Sequence, residues 1–266
     1  MLRDITLGQY YPVESPIHRL DPRTKLFGTV LFIVTLFLAD DWKGYLIAAV
    51  FLAAMILISG IPVRYMLRGM KAVMFLLLFS VAFNLFLTPG ETLIGIGFVK
   101  ITKEGLRQAF YMALRLTFLI TGSSLMTFTT TPTGLTDGME KGLGFLKIFH
   151  IPVHEIAMIM SIALRFIPIL TEETDKIMKA QMARGADFES GGIMQRAKSM
   201  IPLLVPLFVS AFRRSTDLAM AMEARCYHGG EGRTKMFPLK YTSRDRIGYL
   251  VLLVYLAAMI AAKVLL

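Results

Sequence analysis

Arg184 and Arg225 are the residues whose surroundings most restrict what they can do. Arg184 lies in Ala183-Arg184-Gly185, at the end of a helical run that begins near Val153. Arg225 lies in Ala224-Arg225-Cys226, at the end of a second run that begins near Gln195. The two arginines are 41 positions apart, and the turns before them correspond: Ala180 with Ala221, Ile177 with Leu218, Thr174 with Ser215. Gly185 after the first, and Gly229-Gly230 shortly after the second, let a helix stop. An arginine in a last helical turn gains about 0.3–1 kcal/mol from the negative end of the helix dipole. Two of them, at equivalent ends of successive helices and each preceded by alanine, suit a second use. A guanidinium is a rigid fork of donors that fits an acidic pocket on another protein. Small neighbours keep each tip narrow enough to enter a groove.

Other groups that could do chemistry are weaker. No Gly-x-x-x-x-Gly-Lys-Ser/Thr phosphate loop occurs, so the chain is not expected to hydrolyse ATP. His150, His154 and Glu155 bring metal-binding types together, but Pro152 lies between the histidines and no third ligand is indicated. No metal site is expected. Ser123 and Ser124 lie in an apolar run without a histidine in another apolar run to serve as base. Helix packing is the expected role for both. The methionines are more informative. Met158, Met160, Met178, Met182, Met194, Met200, Met220 and Met222 all fall in the two Arg-ended runs. Flexible thioethers suit surfaces that accept several partners, and they also suit plain core packing.

The paired tripeptides, with the opening Tyr11-Pro12 and Ser15-Pro16-Ile17-His18-Arg19-Leu20-Asp21-Pro22-Arg23-Thr24-Lys25, resemble the T component of energy-coupling factor (ECF) transporters, the EcfT/CbiQ-like family. The resemblance covers essentially the whole chain. It implies a non-catalytic coupling subunit of an importer for a vitamin or a transition-metal ion. Two ABC-type ATPase subunits (A and A′) would dock on Ala183, Arg184, Gly185 and on Ala224, Arg225, Cys226. A membrane S component that carries the substrate would contact the same helices, with Met158, Met160, Met178, Met200 and Met220 as contact candidates. ATP and Mg would be bound by the partner ATPases, and this chain would bind no cofactor. The second motif departs from the family's glycine by ending in Cys226, which leaves open how that tip turns.

The elements that must position these tips follow from composition. Of 266 residues, 55% are hydrophobic and 18% charged, too apolar for an ordinary soluble domain. The expected fold is an all-α, polytopic helical membrane protein with about five transmembrane helices and long cytoplasmic-side coupling helices. The net charge of +10 is not a nucleic-acid signal, because the excess Lys and Arg fall in connecting segments, as cytoplasmic loops require. One cysteine, Cys226, excludes a disulfide framework. The first twenty-five residues are polar and proline-bearing rather than a signal peptide.

Three regions are expected. Residues 1–130 hold an N-terminal arm and a four-helix membrane region, with Asp21-Pro22 starting the first helix. Spans are expected at 26–39, 45–59, 70–87 and 105–130, with an outer hairpin or loop over 91–103. Residues 131–235 form the cytoplasmic coupling-helix region, whose apolar runs 156–170 and 200–212 are read as too short and too charged for ordinary spans. Residues 236–266 hold a basic loop and a final span over 247–265. The chain is thus placed in a prokaryotic cell membrane, multi-pass, with its N-terminus and coupling helices cytoplasmic. A stand-alone secondary transporter or channel would carry ionisable residues at mid-membrane on several spans, and Arg115 alone qualifies. An intramembrane enzyme lacks its nucleophile–base or metal constellation.

Overall fold

The structure is a computed structural model that describes residues 10–39, 41–70, 73–89, 91–96, 99–188, 192–230, 236 and 238–264. Residues 1–9 of the arm, Asp40, Lys71, Gly90 and Gly97 lie outside the described residues, as do 231–235 at the end of the expected coupling region. The described residues form ten α-helices and one antiparallel hairpin, β1 (Thr92–Ile96) with β2 (Val99–Thr102). The all-α class holds, and the hairpin falls where an outer turn was expected.

Contacts divide the chain into two units. The larger combines 8–141 with 239–266; the smaller holds 142–238. In the larger unit α1 (Pro22–Leu38), α2 (Trp42–Ser59), α5 (Lys103–Thr129) and α10 (Ser243–Val264) pack on one another, and α4 (Met74–Leu87) lies on α5. Short helices α3 (Val63–Met70) and α6 (Pro132–Gly142) flank them. Phe32, Leu36, Ala48, Leu52, Tyr255 and Met259 form the core between α1, α2 and α10. Gly122 lies directly under the Phe32 ring, where any Cβ would collide, so α5 and α1 approach closely only with glycine there.

Local chemistry sets the ends. Asp21 caps α1 by accepting from the Arg23 N–H at 2.9 Å, with Pro22 at the first position. The Arg23 guanidinium closes on Asp21 and covers the Tyr241 ring at 3.9 Å. Thr242-x-x-Asp245 is a capping box at the start of α10: the Thr242 N–H donates to Asp245 at 2.7 Å. Asp245, 1% exposed, also accepts from the Asp21 N–H at 2.8 Å and from the Thr24 hydroxyl at 3.3 Å. One carboxylate therefore ties together the starts of the first and last helices, which the sequence reading had seen only as part of a basic loop. In the arm, His18 sits between the Ser15 hydroxyl (2.7 Å) and the Tyr11 carbonyl (3.0 Å). Burial holds its pKa below the ordinary histidine value, against the pull of the Tyr11 carbonyl.

Arg115, which had no partner in sequence, donates to the Tyr45 hydroxyl at 3.0 Å and to the Ala39 carbonyl at 3.1 Å. It thus braces α5 against the end of α1 and the start of α2. Nearby, Arg107 pairs with Asp41 at 3.9 Å.

Four helices among the described residues are long and apolar enough to cross a membrane: α2, α5, α10 and α7 (Val153–Ala183). The sequence reading placed spans in α1 and α4 as well. α1 has 17 residues, at the lower end of the span range, and α4 has 14. α7 requires a correction. Its run is not too short, because Pro168 lies inside the 31-residue helix without ending it. The charged cluster Glu172, Glu173, Asp175 and Lys176 follows the apolar half in the same helix.

Candidate docking tips on two paired helices

In the smaller unit a short 3-10 turn over Gly144–Phe149 leads into α7, and α8 (Ile193–Ser199) precedes α9 (Ile201–Ala224). A second correction applies here. The second run is not one helix from Gln195; the chain breaks at Met200, and α9 carries Pro202 in its first turn. A proline's missing N–H costs nothing there, whereas inside a continuous helix it would remove a bond and clash with the preceding turn.

Both helices end in the same way. Arg184 is the C-cap of α7; the Gly185 N–H donates to the Met182 carbonyl and the Ala186 N–H to the Gln181 carbonyl, each at 3.0 Å. Arg225 is the C-cap of α9; the Cys226 N–H donates to Glu223 at 2.8 Å and the Tyr227 N–H to Met222 at 3.1 Å. Each is a Schellman motif, which satisfies carbonyls that a helix end otherwise leaves open. It needs a left-handed residue after the cap. Gly185 supplies it at φ 88° and Cys226 at φ 56°. The substitution of cysteine for glycine therefore keeps the turn, at a conformational cost of about 1 kcal/mol.

α7 and α9 pack side by side. Arg214 donates to Glu173 at 3.1 Å, and these two are equivalent positions of the 41-residue repeat. Further along α7, the Gln181 amide donates to the Pro202 carbonyl at 3.2 Å. Advancing along α7 thus means moving backward along α9, so the helices run in opposite senses. Beyond the end of α9, Gly230 lies against the His154 ring near the start of α7, in keeping with that direction. Arg184 and Arg225 each lie 11 residues past the ion pair. At 1.5 Å per residue that is about 16 Å along each helix, on opposite sides of the crossing point.

All six residues of the two tripeptides are exposed. Neither guanidinium has a hydrogen-bond or ion-pair partner among the described residues. The tips are separate, outward-facing cations on rigid stems.

The methionine candidates are spread along both helices. Met160, Met200 and Met220 are exposed, and Met158 and Met178 are partly buried. The sequence reading missed a larger apolar surface. Ile201, Val205, Phe208 and Phe212 are exposed at i, i+4, i+7 and i+11 on α9, with Phe208 at 61% and Phe212 at 72%. Their spacing is one helical stripe, and that periodicity was legible. Each helix is therefore apolar before the ion pair and Arg-tipped after it.

The other candidates resolve simply. Ser123 donates to the Leu119 carbonyl of its own helix at 2.8 Å. His150 is exposed in a left-handed turn. Among the described residues no three His, Cys, Asp or Glu side chains are grouped closely enough to hold a metal.

With this geometry in place, comparison with known proteins is informative. Residues 13–236 match the family described as CbiQ, cobalt transport protein. A protein of Thermosediminibacter oceani, named energy-coupling factor transporter transmembrane protein EcfT, is 55% identical over 249 residues, 94% of either chain. Proteins of the same name from Clostridium kluyveri and Bacillus subtilis are 50% and 47% identical. The alignments cover 99% and 98% of this chain and 98% of each relative.

Proposed function

Because the chain belongs to the family of transmembrane T components of ECF transporters, we propose that it couples two cytoplasmic ABC-type ATPases to a substrate-binding S component in a prokaryotic cell membrane. The observation that carries this reading is the pair of exposed, identically capped arginine tips, each 11 residues beyond one ion pair. Two similar plugs at opposite ends of a helix pair suit two similar sockets. Arg184 enters an acidic pocket of one ATPase and Arg225 that of the other.

ATP and Mg are held by those partners, and this chain performs no catalysis. Closure of the ATPase pair pushes on both tips. Rigid helices, tied by Glu173 and Arg214, turn that push into a change of crossing angle. The apolar stripe on α9 and the exposed methionines take the S component, which tilts with the helices and releases a vitamin or transition-metal ion. The N-terminus and both tips are cytoplasmic in this reading, as the basic segments around α1 and α10 favour. The stand-alone transporter reading is weakened by Arg115, whose bonds to Tyr45 and Ala39 make it a brace rather than a transport site.

The test is the Arg184→Ala and Arg225→Ala pair. Loss of one partner of a buried charge pair costs about 2–5 kcal/mol. Each single variant should weaken ATPase retention in co-purification and uncouple ATP hydrolysis from uptake, and the double variant should do so more strongly. Normal assembly and transport by the double variant would refute the proposal.

A further inference from the structure

We propose that the groove between α1, α2, α5 and α10 holds one acyl chain of an anionic phospholipid, whose phosphate sits at Lys25 and Arg244. The groove encloses about 310 Å³, and its walls are apolar, among them Phe32, Leu125, Val251 and Leu252. Gly28 in the lining lets α1 approach α10 closely, since a Cβ there would already lie 3.2 Å from Leu252. The lining turns cationic at Lys25 and Arg244.

Neither cation is neutralised by a carboxylate bond among the described residues. The Lys25 ammonium donates to the carbonyls of Thr129 at 2.7 Å and His18 at 3.1 Å, leaving a third N–H. The nearby carboxylates attract Lys25 through space but spend their hydrogen bonds elsewhere: Asp21 on Arg23, and Asp245 on Thr242, Thr24 and the Asp21 N–H. Arg244 is exposed. An apolar slot with two positive groups at its rim is complementary to an anionic amphiphile. A small soluble anion would leave the slot empty, and a neutral apolar chain would leave Arg244 and the third Lys25 N–H unanswered. Basic pockets between spans recognise anionic head groups in this way.

The experiment uses the full chain, stripped of lipid in detergent and then reconstituted with equal dioleoyl phosphatidylglycerol and dioleoyl phosphatidylcholine. Native mass spectrometry after re-extraction counts the lipids retained. The expected result is one phosphatidylglycerol per chain, preferred over phosphatidylcholine and not displaced by inorganic phosphate. Arg244→Gln changes an exposed side chain and should lower that preference about five-fold, the effect of one cationic residue at a head group. Arg244→Lys should keep it. Ile247→Trp, at a lining position already 63% exposed, should block the groove and reduce retention of both lipids. Equal retention of the two lipids by the unaltered chain would overturn the proposal. So would retention unchanged in Arg244→Gln or Ile247→Trp, or a second copy of the chain retained in place of lipid.

Discussion

Two sets of charges, one in each unit, are used in opposite ways. In the larger one, Lys25, Arg115 and Asp245 are bonded to distant parts of the same unit, and Arg23, paired with Asp21, covers the Tyr241 ring. In the smaller one Glu173 and Arg214 hold each other, while Arg184 and Arg225 face outward. Charges turned inward brace helices that must keep their places, since an unsatisfied buried polar group costs free energy. Charges left outward at capped helix ends have their bonding capacity free for another molecule. Arg115 and the tip arginines differ in surroundings, not in residue type.

Five substitutions and a pH series can break or sharpen this contrast. The largest effect is expected at Asp245. Asp245→Ala strands the Thr242 and Asp21 N–H groups, so thermal unfolding in detergent should show a loss of about 3 kcal/mol. A variant as stable as the parent would mean that the carboxylate is no brace. Arg115→Leu removes donors to Tyr45 and Ala39 and should cost about 1.5–3 kcal/mol by the same measurement. Neither change should impair docking of ATPases to the folded chain, whereas the tip variants should impair docking while leaving the melting temperature in place.

A smaller effect separates the two tips. Cys226→Gly relieves a left-handed non-glycine residue and should stabilise by up to about 1 kcal/mol, while Gly185→Ala should lose a similar amount. Equal melting temperatures for both variants and the parent would show that the left-handed position after each cap carries no such cost. The smallest effect is a pH dependence in the arm. His18 has a folded-state pKa below its unfolded value, so folding favours the neutral ring. Its contribution is fully present above about pH 6.5 and declines as pH falls from there toward the lowered folded value. His18→Gln should flatten that slope in a series of melting curves.

Much of the fold was legible because its signals are local. Val153 and Pro22 open their helices where the sequence predicts, and Ala183 and Ala224 close theirs. The capping box at Thr242 and the stripe from Ile201 to Phe212 are equally local, although the methionines and the basic composition around them are the louder signals. The differences lie at prolines. The 156–170 run continues through Pro168 into a 31-residue helix, and the run from Gln195 divides at Met200, where Pro202 stands in the first turn of α9.

The chain's own order of residues determined its apolar lengths, its caps and its repeat of Arg-ended helices, because each depends on neighbours within a few positions. Tertiary structure alone decided that Asp245 meets Asp21, that Arg115 finds Tyr45, and that α7 and α9 run in opposite senses around Glu173 and Arg214. Those pairings join residues far apart in the chain. A charge in a sequence declares what it can bond, and only packing brings the partner within reach.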